Sequence, residues 1–377
     1  MKRGIIVSRK ESFRVKFILI VTFFLILVSW TLCVYAENEL DIDSHFSIVD
    51  EEGKSIFSTA LTLSIGDVFI DEDNRSYEVM RLDEHTAYAR FTGIVDLVPK
   101  ESSLQKIFSY ISAFWGRRSE QPIVIYHTHS DESYVPTSGI DSKYWGDVYQ
   151  VGKMLKNELE RQGYNVIHAL ENHNPHDGAA YERSRRTVAK YLKDNPIAFI
   201  DVHRDAVSRE VYSTVVNNQP VTKIALIIGR QNQNKESNMQ FAKSLKNETD
   251  TNHPGLIKGI LLANGNYNQD VGPRMILLEV GAHTNTLEEA ERAATFFSSI
   301  IPSVVYGTTS TGQRGIKREG SNAARTALWV IVLGVIGVGF YIAINSGGLK
   351  GLISKDMTSS LGAWFRRRKK NSNEKEK

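Results

Sequence analysis

The chain has 377 residues, 41% of them hydrophobic, enough for one or two folded domains with cores of their own. Its single cysteine, Cys33, lies in an apolar run, which excludes a disulfide framework, a cysteine-ligated zinc site and a papain-like thiol and leaves His, Asp and Glu for metal or acid/base chemistry. The 46 basic and 43 acidic side chains leave a net charge of +3, too small over this length to argue for nucleic acid, and the excess gathers at the two ends.

The first element, FILIVTFFLILVSWTLCVY from Phe17 to Tyr35, carries no charge for 19 residues, about the length of a helix that crosses a bilayer core of roughly 30 Å. Lys2, Arg3, Arg9, Lys10, Arg14 and Lys16 precede it, so the positive-inside rule keeps the N-terminus cytoplasmic and exports the chain beyond Tyr35. The run exceeds a signal-peptide core, so residues 1–36 read as a cytoplasmic segment plus a retained anchor, with a cleaved signal as the alternative because Val34, Tyr35 and Ala36 resemble a signal-peptidase site. Residues 37–99 show short β-type runs broken by acidic turns, a small all-β module in which Glu51-Glu52-Gly53 and Asp71-Glu72-Asp73-Asn74 are solvated hairpin tips rather than calcium loops. Residues 100–120 read as a linker.

From Pro122 strands alternate with helices, the signature of an α/β domain over 121–307 with a mostly parallel sheet and helices on both faces. PIVIYHTH, NVIHAL, AFIDVH, KIALIIG and RMILLEVG are the expected strands. The expected helices are Asp147–Gln162, Tyr181–Leu192, Lys235–Glu248 and a last one opened by the capping-box signature Thr286–Glu289. Residues 308–325 form a polar tether. A second uncharged run, Thr326 to Ile344, falls within a second expected membrane helix (326–345), and the basic tail 346–377 with its RRRKK block marks a cytoplasmic end. Both termini are thus expected inside a cell membrane and the α/β domain outside it.

Eight of the ten histidines fall between 121 and 307, and ligand-type residues recur at the carboxyl ends of predicted strands, where open α/β sheets place their sites. His129 and Glu132 are spaced HxxE after the first strand, so a helical turn there would bring imidazole and carboxylate to one side. His203, in Ile200-Asp201-Val202-His203-Arg204-Asp205, offers a third ligand, and two His with one carboxylate form a known catalytic zinc set with an open position for water. Glu279, at the end of an otherwise apolar strand, is costly to bury and suits a general base beside that water. His127 is the reserve ligand or a supporting residue, and His283 sits near the cleft rim. His168, His173, His176 and His253 read as loop or surface histidines. There is no GxSxG, HExxH or GxxxxGK[ST] string.

YHTHSDESY (126–134), YERSRRTVAKYL with DVHRDA (181–206), and ANGNYNQDVGPRMILLEVGAHTNTLEEA (263–290) resemble the stage II sporulation protein P family of endospore-forming bacteria. That resemblance covers the whole 121–307 domain and implies a zinc-dependent N-acetylmuramoyl-L-alanine amidase-like hydrolase of peptidoglycan. It also implies activity on peptide cross-links, and a stage II sporulation protein D-like lytic transglycosylase as partner during engulfment. Carried over by motif, His129, Glu132 and His203 hold the metal and Glu279 is the catalytic carboxylate. Arg204 would stabilise an oxyanion or bind a peptide carboxylate, and Asp201 or Asp205 would orient an imidazole. LLEVGAHTN resembles the VELGFLSN string of the wider amidases. Those amidases draw their ligand Glu from the start of the next helix, where this chain has Gly146 and Asp147; HxxE resembles the zinc carboxypeptidases instead. The second apolar run also departs from the single anchor expected of the family. The alternatives are a pure endopeptidase and a non-catalytic wall-binding module.

Overall fold

The computed structural model describes residues 45–97 and 121–306. Both expected membrane spans, the segments flanking them, the linker and the tether lie outside those residues. Among the described residues no helix is long and apolar enough to cross a membrane.

The strands are β1 (Phe46–Val49), β2 (Ser55–Thr59), β3 (Val68–Ile70), β4 (Arg75–Asp83), β5 (Thr86–Ile94), β6 (Ile123–Tyr126), β7 (Val166–His168), β8 (Ala198–Asp205), β9 (Ser213–Val216), β10 (Gln219–Thr222), β11 (Ile224–Gly229), β12 (Ile257–Ala263) and β13 (Met275–Ala282). The helices are α1 (Val135–Ser138), α2 (Val148–Arg161), α3 (Ala180–Leu192), α4 (Lys235–Asn252), α5 (Leu287–Ser298) and α6 (Ile301–Tyr306). One mixed sheet runs in the order β2-β1-β5-β4-β3-β12-β11-β13-β8-β6-β7. In its second half β12–β11, β13–β8, β8–β6 and β6–β7 are parallel, and β11–β13 is antiparallel.

The N-terminal strands expected as a module of their own continue this sheet, because β3 pairs antiparallel with β12. Gly259 permits it: a Cβ there would lie 2.6 Å from the Phe69 ring and overlap the Ile70 carbonyl. The β9–β10 hairpin and β12 are further elements without a counterpart among the expected strands.

Alternation along the strands sorts the core into two faces. Ile123, Ile125, Ile200, Val202, Leu226, Ile228, Ile276, Leu278 and Val280 pack against Val151, Leu155 and Leu159 of α2, Phe241 and Leu245 of α4, and the apolar stripes of α5 and α6. On the opposite face Val124, Tyr126, Phe199 and Met275 meet Val188 of α3. Beside them Ala225, Ile227, Leu261 and Leu277 are covered by Phe57, Phe69, Tyr77 and Val79 from the N-terminal strands. Helices therefore lie on both faces, with the second face shared between α3 and those strands. The expected capping box is formed at α5: Glu289 N–H donates to Thr286 Oγ1 at 3.2 Å and Thr286 N–H to Glu289 Oε2 at 2.9 Å.

Candidate metal centre

Odd positions of β8 from Asp201 onward, and Glu279 in β13, point away from the α2/α4/α5 face, because their even-numbered neighbours fill it. Glu279 and His203 are register partners on these adjacent parallel strands. Their side chains therefore emerge side by side on one face at the carboxyl end of the sheet.

The third contributor comes from the turn after β6, not from the helical turn that the HxxE spacing suggested: Glu132 closes an isolated bridge with Ser142. That bridge aims the carboxylate inward. Glu132 Oε1 lies 3.1 Å from His129 Nδ1 and 3.2 Å from His203 Nδ1, while Oε2 accepts the Arg204 backbone N–H at 2.9 Å. His129, Glu132 and His203 each place one donor atom within 4.8 Å of the others, and all are buried. They are the one His/Cys/Asp/Glu group among the described residues with metal-ligating geometry. The Glu132 segment is tied to the Glu279 strand by Tyr134, whose hydroxyl donates to the Val280 carbonyl at 2.7 Å.

The electrostatics are those of a site built around positive charge. Burial works against the charged form of His203, yet the Asp201 and Glu132 carboxylates raise its pKa well above the ordinary histidine value. Burial likewise opposes ionised Glu132, but His203, Arg204 and the hydrogen bond from His129 outweigh it and hold the carboxyl well below its usual range. Two imidazoles and one carboxylate converging in this way fit a divalent transition metal. Asp201 Oδ1 lies 3.1 Å from His203 Nε2, which leaves Nδ1 facing the cluster, and Asp201 is itself fixed by the Thr128 N–H at 2.8 Å and its hydroxyl at 2.5 Å.

His127 does not join them. As the continuation of β6 beyond Tyr126 it points to the α2 face, where its Nδ1–H donates to the Val202 carbonyl at 3.0 Å and its Nε2 accepts from His168 at 2.8 Å. Burial, reinforced by His168, depresses its pKa to about 3, and burial depresses that of His168 to about 4. The Asp205 carboxylate accepts the N–H groups of Ala60 and Ala206, both at 2.8 Å, and the Tyr212 hydroxyl at 2.9 Å. Arg204 is buried, with Nη2 donating to the Asp141 carbonyl at 3.3 Å. His283 is half-buried beyond β13, its backbone bonded to Asp205 and Val135. Asp147, where the wider amidases would place a ligand, is engaged by Tyr134 N–H, Ser138 Oγ and Lys143 Nζ.

Two neighbours of the site take no role there from the sequence: His176, which reads as a loop or surface histidine, and Tyr181, which opens one of the resembling strings. His176 stacks on His129 with ring centroids 4.1 Å apart and holds Asp131 Oδ1 at 2.9 Å; Tyr181 meets His129 edge-on at 5.5 Å. No spacing links residue 176 to residue 129. The 173–177 loop folds back because Arg183 donates to the His173 and Pro175 carbonyls and to Asp177.

A model of the family described as stage II sporulation protein P matches residues 74–302. The stage II sporulation protein P of Bacillus subtilis (strain 168) is 28% identical over 204 residues, 49% of this chain and 51% of that protein, so the chain spans about half the length of that curated relative. Among solved structures, an N-acetylmuramyl-L-alanine amidase from Mycobacterium smegmatis aligns at 14% identity and a TM-score of 0.37, covering 50% of this chain and 98% of that one. An N-acetylmuramoyl-L-alanine amidase from Clostridium difficile 630 aligns at 16% identity and a TM-score of 0.33, covering 50% and 97%.

Proposed function

Since the chain belongs to the stage II sporulation protein P family, we propose that it is a zinc-dependent peptidoglycan hydrolase that cuts the amide between N-acetylmuramic acid and L-alanine, and peptide cross-links besides. One observation carries this reading: three buried ligand-type side chains from two separate stretches of chain converge within 4.8 Å, with Glu279 in register beside His203.

His129, Glu132 and His203 would hold the metal. When bound there, zinc supplies Lewis acidity to an attacking water and to the amide carbonyl. Glu279 takes a proton from that water and returns it to the departing amine nitrogen, the general acid/base step that amide hydrolysis needs. Asp201 fixes the orientation of the His203 ring. The buried Arg204 guanidinium adds positive potential on the side of Glu132. The apolar runs at 17–35 and 326–344 support placing the hydrolase on the outer side of a cell membrane with both termini inside; the family likeness, not those runs, supports peptidoglycan as substrate, and a stage II sporulation protein D-like lytic transglycosylase as partner belongs to the same proposal.

The test is incubation of the purified full chain with peptidoglycan, followed by mass spectrometry of the products. Expected are new free L-alanine amino termini, loss of activity on chelation, recovery with zinc, and about one zinc per chain. Undiminished activity after exhaustive chelation, or inactivity of the zinc-loaded protein, overturns the reading.

A further inference from the structure

The loop between α1 and α2 carries an aromatic pair that the hydrolytic group does not use. Tyr144 and Trp145 are 67% and 50% exposed, and their rings meet edge to face at 5.4 Å and 89°. Large rings left in water next to a reactive site mark a contact surface. The loop that carries them is pinned. Lys143 N–H donates to the Asp131 carbonyl at 2.9 Å and Gly146 N–H to the Ser130 carbonyl at 2.8 Å. The side-chain amides of Asn172 and Asn174 donate to the Tyr144 carbonyl at 2.6 and 3.1 Å. Trp145 is backed by the Tyr149 ring at 5.2 Å. A surface held this way loses little entropy when it binds.

Two contacts fix its position relative to the metal group. Asp131, whose backbone holds Lys143, carries His176 on its carboxylate at 2.9 Å, and His176 stacks on His129 at 4.1 Å. Asp131 and His176 thus bridge the aromatic loop and a metal-ligating side chain.

We propose that Tyr144 and Trp145 form a saccharide subsite, stacking on a pyranose ring of the glycan strand while the lactyl amide lies at the His129–Glu132–His203 group. This rests on the hydrolase reading above. In that substrate an ether oxygen and one carbon separate the sugar ring from the scissile carbonyl, so the sugar must lie beside the metal group, within reach of the loops that wall it. A pyranose offers a flat face of C–H bonds to an aromatic ring, which matches the exposed Tyr144 and Trp145 rings. The stem peptide, rich in carboxylates, would call for cations. Lys143, the cation beside the pair, is bound by Asp147 and Ser138.

The experiment measures binding and hydrolysis separately on the full chain. Peptide-free glycan strands, stem peptide alone and anionic lipid vesicles are each offered to the protein, and retention is compared with Trp145→Ala and Trp145→Phe, with thermal melting as a check on folding. Expected is retention of the glycan alone, weakened tenfold or more in Trp145→Ala and largely restored in Trp145→Phe. Equal glycan retention by Trp145→Ala, or preferential retention of the peptide or the vesicles, overturns the subsite. If amides are cut while Trp145→Ala holds glycan normally, the subsite fails and the hydrolase reading stands. If glycan retention depends on Trp145 but no amide is cut, the sugar contact stands and the hydrolase reading fails.

Discussion

Glu279 and His203 stand opposite one another across β13 and β8, paired in register on one face of the sheet. Two neighbouring parallel strands thereby deliver a carboxylate and an imidazole of the candidate metal group to the same end without any loop between them. Groups mounted on strands keep their separation far better than groups on loops.

Replacing Glu279 by Gln keeps the shape and removes the proton acceptor. Hydrolysis is expected to fall about 10²–10⁴-fold with zinc content unchanged, read by product mass spectrometry and metal analysis on one preparation. Wild-type turnover in Glu279→Gln would remove the residue from the reaction.

Under the proposed function Asp201 would act on the metal through His203, 3.1 Å from its Nε2. Asp201→Asn is expected to weaken zinc affinity about 10–100-fold, measured by competition with a chelator, and also to lower the melting temperature of the metal-free protein, because one of the two oxygens that accept from Thr128 or face His203 becomes an NH2 group. Unaltered affinity would leave the 3.1 Å contact with His203 without a role.

The His127–His168 pair sets a pH limit on stability. Both imidazoles titrate below the ordinary value in the folded chain, near 3 and near 4, whereas the unfolded chain takes up protons from about pH 6.5 downward. Their contribution is therefore complete above that pH and is lost as the solution is acidified toward 4 and then 3, by about 2 kcal/mol per imidazole at pH 5. In His168→Gln, the drop in unfolding free energy between pH 7.5 and 5, measured in denaturant with chelator present, is expected to be about 2 kcal/mol smaller than in wild type. Identical drops would show that His168 is not held neutral.

Gly146 lies where the aromatic loop touches the metal segment, and a Cβ there would overlap the Glu132 carbonyl and the Asp131 backbone. Gly146→Ala is expected to lower stability by about 1–3 kcal/mol and to lose zinc by displacing Glu132. Gly272→Ala, whose Cβ would meet only Met275 at 3.7 Å, is expected to change neither, by calorimetry and metal analysis.

Period-2 alternation in AFIDVHRD and RMILLEVGA sets that His203 and Glu279 each point away from the apolar face of their own strand, while the pairing of β8 with β13 and its register are set by the tertiary structure. The helical stripe of α2 and the capping box of α5 are legible for the same reason: each is a pattern complete within a few residues. The same parity argues that His127, one residue beyond Tyr126, faces α2 rather than the metal group, so its place as a reserve ligand was against the strand's own alternation. Other features have no local mark. Glu132 reaches its place through a turn that Ser142 closes, His176 through a loop that Arg183 folds back, and the N-terminal strands join the sheet because Gly259 admits Phe69. Those outcomes depend on which distant backbone groups find one another, and partner choice between strands and loops is decided by the collective packing of the core, not by any short stretch of chain.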